Sequence, residues 1–119
     1  MVTAVTSLSR SGLSDWLVQR VTAVILLSFF GFLGIKLLAG VSYGEWTALF
    51  EPTWMKVYTL LAVLSLAAHA WIGMWGVFTD YLTERLMGAR GNVLRIGLQL
   101  LTSLSLVVYV IWAIQIIWR

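Results

Sequence analysis

Cysteine is missing altogether from the 119 residues, proline and histidine each occur once, and charged residues make up only 11% of the chain. Without cysteine the chain builds no disulfide, no thiolate iron–sulfur site, no thioether-attached haem and no Cys-ligated zinc of its own. Any redox cofactor it holds has to be bound by other ligands. Soluble domains carry about 25% charged and about 45–50% apolar residues; a 61% hydrophobic content and a mean hydropathy of +0.92 place this chain in a bilayer instead. The length allows one domain, 1–119, and at about 20 apolar residues per crossing three membrane spans use it up. No room remains for a soluble catalytic domain. The formal net charge of +3 comes from cations scattered along the chain, so it serves orientation in the membrane and not nucleic-acid binding.

Three apolar runs are long enough to cross. Val21 to Ala39 contains one charge, Lys36, close enough to its end to snorkel to the headgroups; Val57 to Thr79 contains His69; Ile96 to Trp118 contains no charge at all. At about 1.5 Å per residue these runs give roughly 28–35 Å of helix against a hydrocarbon core of about 30 Å. The expected fold is therefore an all-α integral membrane domain, with transmembrane helices at about 19–39, 57–79 and 96–118 behind a short arm, 1–18. The first run is longer than the apolar core of a signal peptide, about 7–15 residues, so it reads as an uncleaved span. Gly40 to Lys56 and Asp80 to Arg95 read as loops. Arg10, Arg20, Arg85, Arg90 and Arg95 stand on the arm and the second loop, against Lys36, Lys56 and Arg119 on the other side. The excess puts the N-terminus and the second loop in the cytoplasm and the C-terminus outside.

An ionisable residue inside a span is costly and marks a functional position by default. Stepping about 100° per residue, Gly73, Gly76 and Asp80 fall within roughly 40° of the direction of His69. Two explanations fit a histidine beside two glycines: close helix packing with His69 hydrogen-bonded across the seam, or a flat face against which a planar macrocycle lies with the histidine Nε2 as axial iron ligand. A proton-relay or transport histidine is a third. If the macrocycle is there, this chain is half of a site. It has one histidine, and Met74 points well off that face, so a second axial ligand has to come from another polypeptide.

Asp80 and Tyr81 close the second span. An interfacial tyrosine beside a solvated aspartate is the ordinary reading; the functional one is a phenol donating a hydrogen bond to a lipophilic carbonyl ligand, next to a carboxylate able to order water or move protons. In the arm, Arg20 sits at the membrane edge, where it either anchors an interfacial turn with Trp16 or pairs with an anionic group such as a cofactor carboxylate. Gln99, Thr102, Ser103, Ser105 and Gln115 on the third span read as helix–helix contacts.

The length, the three spans, the arm R-S-G-L-S-D-W-L-V-Q-R at 10–20, H-A-W-I-G at 69–73 and D-Y at 80–81 together resemble the hydrophobic membrane-anchor (D) subunits of bacterial succinate dehydrogenase, respiratory complex II. The resemblance implies a helix bundle completed by a partner subunit. His69 would be an axial ligand to haem b, with the opposing histidine on the larger cytochrome b anchor (the C subunit). Tyr81 would hydrogen-bond a carbonyl of ubiquinone, the substrate, with Asp80 in the same site, and Arg20 would lie near the haem propionates, with Asp15 near the partner interface. Where some of these relatives have histidine just before that aspartate, this chain has Ser14. A flavoprotein and an iron–sulfur subunit would complete the enzyme, leaving no succinate or flavin site in this chain. The implied location is the bacterial inner membrane. A purely structural assembly subunit and a small transporter using His69 and Asp80 are the rival readings; the inverted repeats and broken helices common in transporters are not evident.

Overall fold

The computed structural model describes residues 12–83, 86 and 88–119. Within them lie α1 (Gly12–Ala39), α2 (Tyr43–Leu49), α3 (Thr53–Tyr81) and α4 (Ala89–Ile117), and no strand is found among the described residues. Three of these helices, α1, α3 and α4, are long and apolar enough to cross a membrane, as the hydropathy pattern requires. In hydrocarbon each backbone N–H and C=O must find its partner within the helix, so uninterrupted Leu, Val, Ile, Phe and Trp runs without proline settle as helices. Arg10 and Arg85, two of the cations in the orientation count, lie outside the described residues.

The helices overrun the apolar runs that mark them. α1 already includes residues 12–18, placed in the arm on hydropathy, and α4 begins seven residues before Ile96 and ends at Ile117. Polar residues at the membrane edge continue a helix until the backbone itself is interrupted. Gly40 adopts φ 87° after α1, and its N–H bonds the Leu37 carbonyl at 3.2 Å; Gly88 adopts φ 70° in front of α4. Both conformations are strained for any residue with a Cβ. Between α2 and α3 stands Pro52, which disfavours helix at the residue before it and opens α3 with extended backbone, φ −61° and ψ 144°. At 29 residues apiece, α3 and α4 are about 43 Å long, so their ends project beyond the hydrocarbon.

The first loop is not wholly irregular. Its seven-residue helix α2 is started by Ser42, whose hydroxyl accepts from the Glu45 backbone N–H at 3.2 Å while the Glu45 carboxylate reaches back to that hydroxyl. The Ser-x-x-Glu spacing of a capping box was visible in the sequence; the polarity of the segment hid it.

α3 is the central helix, packed against α1 on one side and α4 on the other. The core is small. Phe29, Met55 and Ala62 are buried, with Phe32, Leu33, Leu49, Phe50 and Tyr58 packed around them, so α2 covers one end of the α1–α3 seam. Met55 is fully enclosed. The Tyr58 ring meets Phe29 edge-on at 5.1 Å, and its hydroxyl shares a 2.7 Å hydrogen bond with Ser28. α4 buries only Gly91 and exposes leucines, valines and isoleucines along its length, a surface suited to lipid or to other membrane helices.

Candidate functional site

His69 lies on the α1–α3 seam, half-buried, and its Nδ1 is 3.2 Å from the hydroxyl of Thr22, itself only 7% exposed. The same hydroxyl is 2.7 Å from the Val18 carbonyl and 3.2 Å from that of Gln19. A threonine hydroxyl has one proton and a carbonyl can only accept. When that proton goes to the α1 backbone, the Thr22 oxygen is left to accept from the ring, which is the pairing for the tautomer that carries its proton on Nδ1 and its lone pair on Nε2.

This arrangement suits one kind of metal group. Among the described residues no three His, Cys, Asp or Glu side chains come together to cage a bare ion. A single imidazole nitrogen is sufficient where the metal arrives with its equatorial ligands already in place, as porphyrin iron does. The residues present are compatible with such a group, to which His69 would supply one ligand.

The glycines on the same face behave differently from one another. A Cβ placed on Gly73 would stand 3.5 Å from Gln19 Nε2, whereas one on Gly76 would meet nothing within 4 Å. Gly73 is thus faced by α1, in keeping with the helix-packing reading, although a Cβ there would make only ordinary contact with the Gln19 amide. Gly76 is faced by nothing among the described residues. Two polar atoms nearby in the sequence, Gln19 Oε1 and Trp75 Nε1, are enclosed without a hydrogen-bond partner. The Trp75 ring lies 4.7 Å from that of Trp71.

Arg20 does not join this cluster. It is two residues before Thr22, about 200° around α1, and its exposed guanidinium rests 5.1 Å over the Trp16 ring. Asp80 and Tyr81 form the exposed end of α3, and Tyr81 is 66% accessible. Phe78, buried one turn earlier, holds that end against the bundle, and its carbonyl accepts from the Leu82 N–H at 3.0 Å. Asp80 is about 16 Å from His69 along the axis and only about 20° off its direction; Tyr81 turns another 100° or so away. Because Thr22 meets His69 and Gln19 meets Gly73, α1 and α3 run antiparallel, which brings Asp15 to the same end of the bundle as Asp80 and Tyr81. Cavities of about 490 Å³, between α2 and the end of α4, and about 460 Å³, between α3 and α4, are lined by none of His69, Arg20, Asp80 and Tyr81.

Thr22, like Gln19, is a member of this arrangement that the sequence did not single out. Its bond to His69 joins residues 47 apart, and a threonine in an apolar run has no periodicity of its own to betray it.

Comparison with known proteins gives the family. Residues 2–111 match the family model described as the succinate dehydrogenase/fumarate reductase transmembrane subunit. A Coxiella burnetii protein, named succinate dehydrogenase hydrophobic membrane anchor subunit, is 41% identical over 112 residues, which cover 92% of this chain and 91% of that protein.

Proposed function

The chain belongs to the family of succinate dehydrogenase/fumarate reductase transmembrane subunits, and from that premise we propose that it supplies one axial ligand of a b-type haem and one wall of a ubiquinone site. As a membrane anchor it spans the bilayer with α1, α3 and α4; the finer assignments are the reading offered here. The observation that supports the haem assignment is the placement of His69, the only histidine, whose Nδ1 lies 3.2 Å from the Thr22 hydroxyl, so that Nε2 is the ring nitrogen not engaged by Thr22.

The haem, when bound, supplies a one-electron reservoir beside the quinone site. His69 would supply this chain's ligand to it, and a histidine of the larger cytochrome b anchor would supply the other. Arg20 points away from the His69 face and rests over Trp16, so within this chain it does not reach the group that His69 would hold; a propionate partner for it remains what the family resemblance implies. Tyr81 donates its phenolic proton in a hydrogen bond to a quinone carbonyl, fixing which oxygen is protonated. Reduction takes two electrons and two protons to the quinol. The exposed Asp80 carboxylate, at the same rim, orders the water through which those protons arrive without crossing the apolar interior.

The flavoprotein and iron–sulfur partners dock on the face that carries Asp15, Asp80 and Tyr81, which the Lys/Arg distribution makes the cytoplasmic face of the bacterial inner membrane. The C-terminus after α4 then lies in the periplasm. Purification in mild detergent tests the whole reading. The expected result is a complex in which this chain co-purifies with a flavoprotein, an iron–sulfur protein and a second membrane anchor, with a b-type band in the reduced-minus-oxidised spectrum. The same complex without that band would leave a purely structural anchor and refute the haem assignment.

A further inference from the structure

We propose that Thr22 is the positioning residue for His69: by accepting the Nδ1 proton it fixes the tautomer and rotation of the ring and raises the donor strength of Nε2. The inference rests on the haem reading above and adds to it a residue on a different helix.

Three threonines on the long helices bond back to the carbonyl four residues earlier: Thr22 to Val18 at 2.7 Å, Thr59 to Met55 at 2.7 Å and Thr79 to Trp75 at 3.0 Å. Such back-bonding is an ordinary way for a hydroxyl to be satisfied in a helix. Thr22 differs in making a second bond, with the His69 ring, and in being buried. With the ring proton on Nδ1, as proposed, the chain runs His69 Nδ1–H to Thr22 Oγ1–H to Val18 C=O. Donation to the carbonyl leaves the hydroxyl oxygen a better acceptor, so the two bonds strengthen each other. Pulling on Nδ1–H makes Nε2 a stronger σ-donor, the usual effect of an outer partner on a ligating histidine. A stronger donor favours the more highly charged ferric iron and lowers the reduction potential. The same bond prevents the proton from moving to Nε2, where it would block ligation.

The test uses the detergent-purified complex with three variants of this chain. Thr22→Val keeps the shape and removes the hydroxyl, Thr22→Ser restores the hydroxyl without the methyl, and Thr59→Val removes a back-bond of the same length that meets no ring. Haem midpoint potential and the rate of haem loss in detergent are the readouts. Thr22→Val is expected to raise the potential and to speed haem loss roughly tenfold, the low end of what outer-shell substitutions cost a metal site, while Thr22→Ser and Thr59→Val match the parent. A Thr22→Val complex with parental potential and retention overturns the inference. So does Thr22→Ser behaving like Thr22→Val, because the methyl group and not the hydroxyl would then be responsible, or an equal shift in Thr59→Val. If Thr22→Val does not assemble, Thr22→Ala is read in the same way, and a parental potential in it is equally contrary. A parent complex without b-type absorbance overturns the haem reading and this inference with it; a normal parental band that Thr22→Val leaves untouched overturns this inference alone.

Discussion

His69 and Tyr81 stand on one helix, twelve residues apart, and the fold treats them in opposite ways. The histidine is drawn into the α1–α3 seam and its Nδ1 is fixed by Thr22; the tyrosine is left 66% exposed on the last turn. The contrast follows from what each group has to do on the reading proposed here. A metal ligand has to present one particular nitrogen, deprotonated and aimed, before the metal arrives, so its own chain sets it. A hydrogen-bond donor to an exchanging substrate needs an open approach, and its enclosure comes from neighbouring subunits.

The largest break in this comparison comes at the buried end. His69→Leu is expected to abolish the low-spin b-type spectrum, since no other histidine exists in the chain; an unaltered spectrum in that variant would remove His69 from the iron. Next comes Met55→Ala, which empties a fully enclosed position about 21 Å along α3 from His69. It should destabilise the subunit by about 2 kcal/mol through lost contacts and a residual cavity, seen as a lower unfolding midpoint in detergent with an unchanged haem spectrum. A concurrent spectral change would show that the two ends of the seam are coupled. At the exposed end, Tyr81→Phe removes one hydrogen bond of about 1–1.5 kcal/mol, which lowers succinate-to-quinone turnover about tenfold and leaves succinate-to-dye turnover intact. Equal quinone kinetics in mutant and parent would sink the tyrosine's role. Smallest is Ser28→Ala, which breaks the 2.7 Å bond to Tyr58; polar bonds between membrane helices average about 0.6 kcal/mol, so thermal stability should drop by a barely resolvable amount.

The span count and the position of His69 were legible because both are local facts: an apolar run has a length, and a lone titratable residue within it is conspicuous. The helix ends were less so. Hydropathy marks where lipid stops, whereas the backbone is interrupted at Gly40, Pro52 and Gly88, which is why α4 begins seven residues ahead of its expected span; α1 likewise already includes residues 12–18. α2 was overlooked because a polar, aromatic loop obscured the Ser42 to Glu45 cap. The face around His69 was legible only in part. Helical spacing aligned Gly73 and Gly76 correctly, but only the register of α1 against α3 puts Gln19 over one and nothing over the other. Thr22 required that register too, as would any partner reached across 47 residues.

The division of labour between the two ends is tested most directly by recording reduced-minus-oxidised spectra and quinone reductase rates on His69→Leu and Tyr81→Phe complexes prepared side by side. The account predicts a separation: His69→Leu alters the b-type spectrum, and Tyr81→Phe keeps the parental spectrum while losing quinone turnover. A normal spectrum in His69→Leu, or a Tyr81→Phe complex with undiminished quinone turnover, would contradict it.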